Sequence, residues 1–178
     1  MRPIVLVVVG VLIALRLAEM AYARRNTESL VARGGRRVTP DGFLGIAAVH
    51  TLWLVGMLVE EATIGPSVDS DALRIGAWTA AIASEILRLT TIATLGRRWS
   101  VHVVVVPGEP RIVRGPFRVF RHPNYVAVTL QLVSVPLALG LVWTAALVLP
   151  LKLAALVPRL RVEERALRTA AAEAPFTP

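Results

Sequence analysis

Long apolar blocks alternate with short charged segments along this 178-residue chain. A helix crossing the roughly 30 Å hydrocarbon core of a bilayer needs about 20 mostly apolar residues. Three blocks come near that length, at residues 3–23, 43–59 and 72–95. A further apolar region, 125–157, is too long for one crossing and is interrupted by Pro136, Gly140 and Pro150. It reads as two helices, about 124–139 and 141–157, joined by a tight turn near Gly140. The pattern predicts an all-α integral membrane protein with five transmembrane helices, the last two a helical hairpin, in one domain over 1–178. The first block, PIVLVVVGVLIALRLAEMAYA, has only Arg2 as a charge before it. Its length, about 20 residues, is that of a retained span rather than of a cleaved signal.

The segments between the blocks differ in sign. Arg24, Arg25, Arg33, Arg36 and Arg37 follow the first block, whereas Glu60, Glu61, Asp69 and Asp71 follow the second. Arg97, Arg98, Arg111, Arg114, Arg118 and Arg121 follow the third, and Arg159, Arg161, Arg165 and Arg168 follow the last. Basic segments stay on the cytoplasmic side. Five crossings then put the N-terminus outside and the C-terminus in the cytoplasm, with every arginine-rich segment inside. On this reading residues 96–123 and 158–178 form a small cytosolic cofactor-binding segment, joined by the first loop.

Composition supports that picture. The chain is 55% hydrophobic with mean hydropathy +0.63 and net charge +8, and Lys152 is its only lysine. Such charge on a membrane protein serves topology and anionic headgroups, so membrane lipids are the expected partners and nucleic acid is not. The absence of cysteine excludes disulfides and thiolate chemistry. The arginine-rich, lysine-poor usage suggests a bacterial chain, and hence the inner membrane.

Several residues could carry chemistry. WSVHVVVVPGEPRIVRGPF reads as a short strand, a turn at 107–110 and a second extended piece, two strands folding back on the membrane. In RHPNY, proline forces His122 out of helical geometry and Pro123 suits the first position of a helix. That motif is readable either as a helix start among headgroup-binding arginines or as part of a site. After the last block, Lys152, Leu156, Arg159 and Glu163 fall on one helical stripe, with Glu164 one step round. These charges make either ordinary surface pairs or an acidic pocket for a cationic ligand. Arg16 with Glu19, and Glu85 with Arg88, are i, i+3 pairs inside spans, open to a structural or a cavity-lining role. His50 reads as a buried hydrogen-bonding residue. His102 has no second ligand at metal spacing, and no metal is expected.

The stretch LGRRWSVHVVVVPGEPRIVRGPFRVFRHPNYVAV, followed two helices later by PRLRVEERAL, resembles the isoprenylcysteine carboxyl methyltransferase family of membrane proteins. The likeness covers about the last 85 residues, and the front, LRLAEMAYARRNTESLVARG, resembles the bacterial branch associated with type III polyketide synthases. Two positions depart mildly: Phe117 stands where tyrosine is common, and Ala127 where many relatives have glycine. The resemblance implies S-adenosylmethionine as methyl donor, bound between RHPNY and the tail. It implies that His122, Pro123 and Tyr125 help form the cofactor pocket, with Trp99 and Arg121 as walls. Glu163 or Glu164 would meet the donor's ammonium, and Arg159 would orient the acceptor or the acidic pair. The catalytic set it implies is thus Arg159, His122 and Glu163. The acceptor would be a lipophilic small molecule entering from the bilayer, with a carboxylate or an acidic hydroxyl, such as an isoprenylcysteine-like carboxylate, an alkylpyrone or an alkylresorcinol. A phenol would need a base such as His122. Membrane sterol reductases using NADPH share a related RHPNY, but glycine and an acid would be expected after the tyrosine, where this chain has Val126, Ala127 and Val128. A non-enzymatic membrane subunit is the remaining alternative. Oligomeric state is not specified by the sequence.

Overall fold

The computed structural model of the chain describes residues 1–68 and 70–172. Asp69 of the acidic segment and the end of the basic tail lie outside the described residues. Among the described residues there are five α-helices: α1 (Pro3–Ala32), α2 (Phe43–Thr63), α3 (Asp71–Leu95), α4 (Pro123–Ala138) and α5 (Val142–Ala172). Two-residue strands, β1 (Arg36–Arg37) and β2 (Val104–Val105), and 3-10 turns at Gly96–Arg98 and Gly115–Arg118 complete the fold.

Local chemistry sets the ends of the helices. Pro3 and Pro123 open α1 and α4, where a missing N–H costs nothing. Ser70 caps α3 by accepting from Leu73 N at 3.3 Å. The α4–α5 turn needs Gly140, whose φ of +81° is left-handed and whose Cβ, if present, would stand 2.9 Å from Pro66 Cβ. Helix α5 then runs through Pro150 and Pro158 without a break, carrying the arginine-rich tail on the same rod as the apolar block.

The acidic residues expected in a loop after the second block instead form the last turn of α2, and both carboxylates are buried. Glu60 accepts from Trp143 N at 3.0 Å, Thr144 N at 2.7 Å and Thr144 Oγ1 at 2.6 Å. It therefore caps α5 from a neighbouring helix, satisfying N–H groups that have no partner inside α5. Glu61 receives the Arg2 backbone N–H at 2.7 Å and its guanidinium at 2.6 Å. Charge pairing and capping at a buried helix end outweigh the tendency of acids to face solvent.

The core is made of Val5, Val9 and Leu12 of α1, Trp53 and Met57 of α2, Leu132 and Val135 of α4 and Val148 of α5. Outside it the surface stays apolar. Leu17 of α1, Leu44 of α2, Ile82 of α3 and Leu147 of α5 are each more than half exposed. Apolar outer faces on four helices are those of a bundle solvated by hydrocarbon. Helices α1 and α2 are long and apolar enough to span a bilayer, with mean hydropathy 2.5 and 1.8 over their best stretches. Helix α4, at 16 residues, is about 24 Å long, and α3 and α5 carry charges along their length.

Two expectations fail. The strand at Val104–Val105 does not pair with the extended piece after the 107–110 turn. It pairs antiparallel with β1, Arg36 opposite Val105 and Arg37 opposite Val104. Pro110 offers no N–H to a ladder, whereas β1 emerges beside β2 directly from the end of α1. Arg88 does not pair with Glu85 of its own helix. Its Nε donates to Glu19 of α1 at 2.8 Å, and Glu85 accepts from Gln131 of α4 at 2.5 Å. The expected Arg16–Glu19 contact is present at 2.7 Å.

Glu60→Ala would leave three donors at the start of α5 without their acceptor. We expect a loss of about 2 kcal/mol or more, read as a lower thermal midpoint of the protein in detergent or nanodiscs.

Candidate active site

The residues that precede α4 and those in the C-terminal half of α5 converge. His122 has φ −132° and ψ 69°, outside the helical region that a following proline disfavours. This turns its ring toward α5, where Nε2 lies 2.6 Å from Glu164 Oε1 and Nδ1 3.5 Å from Glu163 Oε1. Tyr125, one turn into α4, stacks on His122 with ring centroids 5.7 Å apart and donates to Glu163 Oε2 at 2.5 Å. Arg121 donates through Nε to Glu164 Oε1 at 2.7 Å and also pairs with it through Nη2. Arg111 reaches the same cluster, donating to the Arg121 carbonyl at 2.8 Å.

Arg159, 6% exposed, ties this cluster to the loops. Its Nε donates to Tyr125 Oη at 2.9 Å, its Nη1 to the Asp41 carbonyl at 3.0 Å and its Nη2 to the Val101 carbonyl at 2.5 Å. Gly42 makes the approach possible, since a Cβ there would lie 3.3 Å from Arg159 Cβ. Asp41 accepts from Phe43 N at 3.0 Å and sits 2.8 Å from His102 Nδ1. Burial alone would raise the Asp41 carboxyl, but these hydrogen bonds and the nearby Arg159 charge hold it below the usual carboxylate range.

A cavity of about 430 Å³ opens beside the cluster. His122, Pro123, Tyr125, Arg121, Arg159 and Glu163 line it, and Trp99 forms part of the wall. Trp99 is fixed there by stacking on Tyr22, with centroids 5.9 Å apart, and by Asn26, which donates to its carbonyl at 2.9 Å. Glu164 faces a smaller cavity of about 270 Å³ next door, which shares Arg98, Arg111 and Arg121 with the larger one. The larger cavity continues inward between helices, past Phe43, Ala47, His50 and Leu54 of α2, Val128 of α4 and Lys152 of α5. His50 donates Nδ1–H to the Ile46 carbonyl at 2.7 Å, which leaves Nε2 for the cavity. All the residues singled out after the resemblance thus meet at one place, Glu164 from the adjoining side. Asp41, Arg111 and Asn124 were not singled out. The Asp-Gly step before a helix marks Asp41 as a turn residue, and nothing in the sequence marks it as a neighbour of Arg159.

The electrostatics of the cluster are reciprocal. Burial disfavours the His122 imidazolium, yet the hydrogen bonds and charges of Glu163 and Glu164 outweigh it and raise His122 above its ordinary value. Glu163 is held below the carboxylate range although burial opposes this, because His122, Tyr125 and Arg159 stabilise its charge. Arg121 chiefly lowers Glu164, against a smaller effect of burial, with His122 adding to it. The two carboxylates on either side of His122 therefore favour its charged form.

Comparison with known proteins gives the chain a family. Residues 77–169, just over half of the chain, match the isoprenylcysteine carboxyl methyltransferase (ICMT) family. The chain belongs to that family. ICMT-family proteins are membrane-embedded methyltransferases, so this is a membrane protein and an enzyme of the methyltransferase class. The chain is also similar to the uncharacterized protein YpbQ of Bacillus subtilis (strain 168), 29% identical over 160 residues that cover 90% of this chain and 94% of that one. No solved structure matches.

The stabilising effect of the raised His122 is complete below its unfolded value, about 6.5, and is lost as pH rises through the higher folded value. The lowered Glu163 and Glu164 contribute above the ordinary carboxylate value and lose that contribution as pH falls through their folded values. Histidine-labelled NMR should show one ring titrating above the ordinary range, and Glu163→Gln with Glu164→Gln should return it to that range or below.

Proposed function

We propose that this ICMT-family protein transfers a methyl group from S-adenosylmethionine to an oxygen of a lipophilic acceptor, at the cytoplasmic face of a membrane that it crosses five times. The observation that carries the reading is the larger cavity, which reaches from the charged cluster to the space between the helices. One end is lined by the His122–Tyr125–Glu163 cluster and the other runs between apolar helix faces. A polar donor can reach the first from the cytosol, and a greasy acceptor the second from the bilayer.

The cluster fits the donor. Asn124 Oδ1 is buried without a hydrogen-bond partner on the cavity wall, an acceptor suited to an adenine or ammonium N–H. Glu163 offers a carboxylate to the ammonium of the methionyl part, and Arg121 and Arg111 stand at the rim where its carboxylate would lie. His122, Pro123, Tyr125 and Trp99 form the walls. When bound, the donor supplies an electrophilic methyl on a sulfonium.

The protein's part is positioning and exclusion of water. Attack of an oxyanion on a sulfonium neutralises charge, so a dry, low-dielectric cavity favours it. Arg159 orients Tyr125 and so the face presented to the donor. His122, whose charged form its two carboxylates favour, holds the cluster together and serves as a positioning group rather than as a base. Acceptors that arrive ionised, a carboxylate or an acidic enol such as that of an alkylpyrone, suit the site better than an alkylresorcinol phenol.

Purified protein in nanodiscs, given methyl-labelled donor and a membrane lipid extract, should move label into the organic phase, and absence of transfer would refute the reading. Glu163→Gln should weaken donor binding by about ten-fold, the scale of one lost charge-assisted contact, measured by calorimetry. His122→Ala should lower turnover by about 100-fold through lost positioning, far more than it lowers the amount of protein in membranes.

A further inference from the structure

Lys152, the only lysine in the sequence, sits on the inward stripe of α5, seven residues before Arg159. Seven residues are about 10 Å of helix, so Lys152 is two turns deeper into the bundle than the donor cluster. It is 1% exposed and lines the inner part of the cavity. Among the described residues nothing hydrogen-bonds or ion-pairs with its ammonium. A lone buried ammonium costs several kcal/mol unless something compensates it.

The nearby carboxylates are committed elsewhere. Glu19 accepts from both Arg16 and Arg88. Glu85 accepts from Gln131, and Glu163 from Tyr125 and His122. Neighbouring donors are also in surplus, since Arg16 Nε and Arg88 Nη1 are buried without acceptors. Seven arginine or lysine side chains line the cavity against two glutamates, Glu19 and Glu163, so its lining lacks negative charge. The inner lining offers apolar side chains, Ala47, Leu54 and Val128 among them, together with His50, while the charges of Arg159 and Arg16 are close enough to repel that of Lys152. A ligand completing this arm brings hydrocarbon for the walls and an anionic oxygen for the ammonium.

We propose that Lys152 is the anchor for the acceptor's oxyanion, and that the inner arm of the cavity selects lipophiles that are negatively charged at neutral pH over neutral ones of the same shape. The inference rests on the reading of this cavity as the acceptor site. Lys152 holds the oxygen on the bilayer side while Glu163 and His122 hold the donor on the cytosolic side. The oxygen's electron pair forms the new bond to the methyl carbon, the carbon–sulfur bond breaks and its electrons return to sulfur. An already ionised acceptor has no proton to lose, so the step needs no base at Lys152.

The test uses the full chain in zwitterionic nanodiscs at about pH 8, where a carboxylic acid is ionised. Binding of radiolabelled dodecanoate and of its methyl ester is measured against empty nanodiscs, with donor binding measured on the same preparations. The wild type should hold the carboxylate roughly ten-fold more tightly than the ester, the scale of one partly desolvated charge pair. Lys152→Met, which keeps length and removes the charge, should abolish the preference, leave donor binding unchanged and raise the thermal midpoint. Lys152→Arg should retain the preference. A wild type that does not distinguish acid from ester, or a Lys152→Met variant that still does, overturns the proposal. Because these readouts are binding alone, a preserved preference with no methyl transfer to any lipid would sink the methyltransferase reading and leave the anion anchor standing. Methyl transfer without the preference would do the opposite.

Discussion

The buried guanidinium of Arg159 is the constraint on which the rest of the site depends. Its donors reach the backbone of the first loop at Asp41, the backbone of the third loop at Val101 and the hydroxyl of Tyr125 on α4. Four separate segments, counting its own helix, are thereby held at one point. Lysine could not replace it, because an ammonium cannot send several planar, divergent donors to three acceptors at once. From Tyr125 the connection continues through Glu163 to His122, and through Glu164 to Arg121. Each charged member is stabilised by the next, so the cluster holds its shape in a low-dielectric setting where an incomplete one would be costly.

Deeper in the bundle a second set of charges does a different job. Arg16, Glu19 and Arg88 join α1 to α3, while Gln131 links α4 to Arg16 and to Glu85. Apolar packing against lipid does little to choose between helix registers, because tails and leucines are alike. Polar contacts that close only in one register do choose, and Arg16, Glu19 and Arg88 among them also line the cavity. Their presence explains why α3 carries more charge than a simple span would, and why charge within it is no argument against its place in the bundle.

Much of this was legible in the chain. The apolar blocks correspond to the five helices, and the break at Gly140 is the hairpin turn, because lengths and glycine punctuation are local properties. His122, Tyr125, Arg159 and Glu163 could be singled out since proline geometry and helical stripes follow from spacing, and the family likeness joined the two halves. Partners chosen across space were not legible. Arg88 has a carboxylate one turn away on its own helix and nonetheless takes Glu19, a choice fixed by how α1 and α3 dock. Glu60 and Glu61 read as a solvated acidic loop because their charge is visible in sequence, whereas the helix start and the arginine that bury them are not. A two-residue strand at Arg36–Arg37 gives no periodic signal at all, and it became visible only as the partner of Val104–Val105.

On the reading proposed above, the isolation of the Lys152 ammonium also bears on how a catalytic cycle closes. Methylation converts an oxyanion into a neutral ester or ether, so the attraction that seats the substrate vanishes with the reaction that consumes it. What remains beside the ammonium is an uncharged, more lipid-soluble molecule, whose favourable direction of escape is sideways into the bilayer. In that reading the same lysine that retains one species discharges the other, and turnover acquires a direction without a moving part.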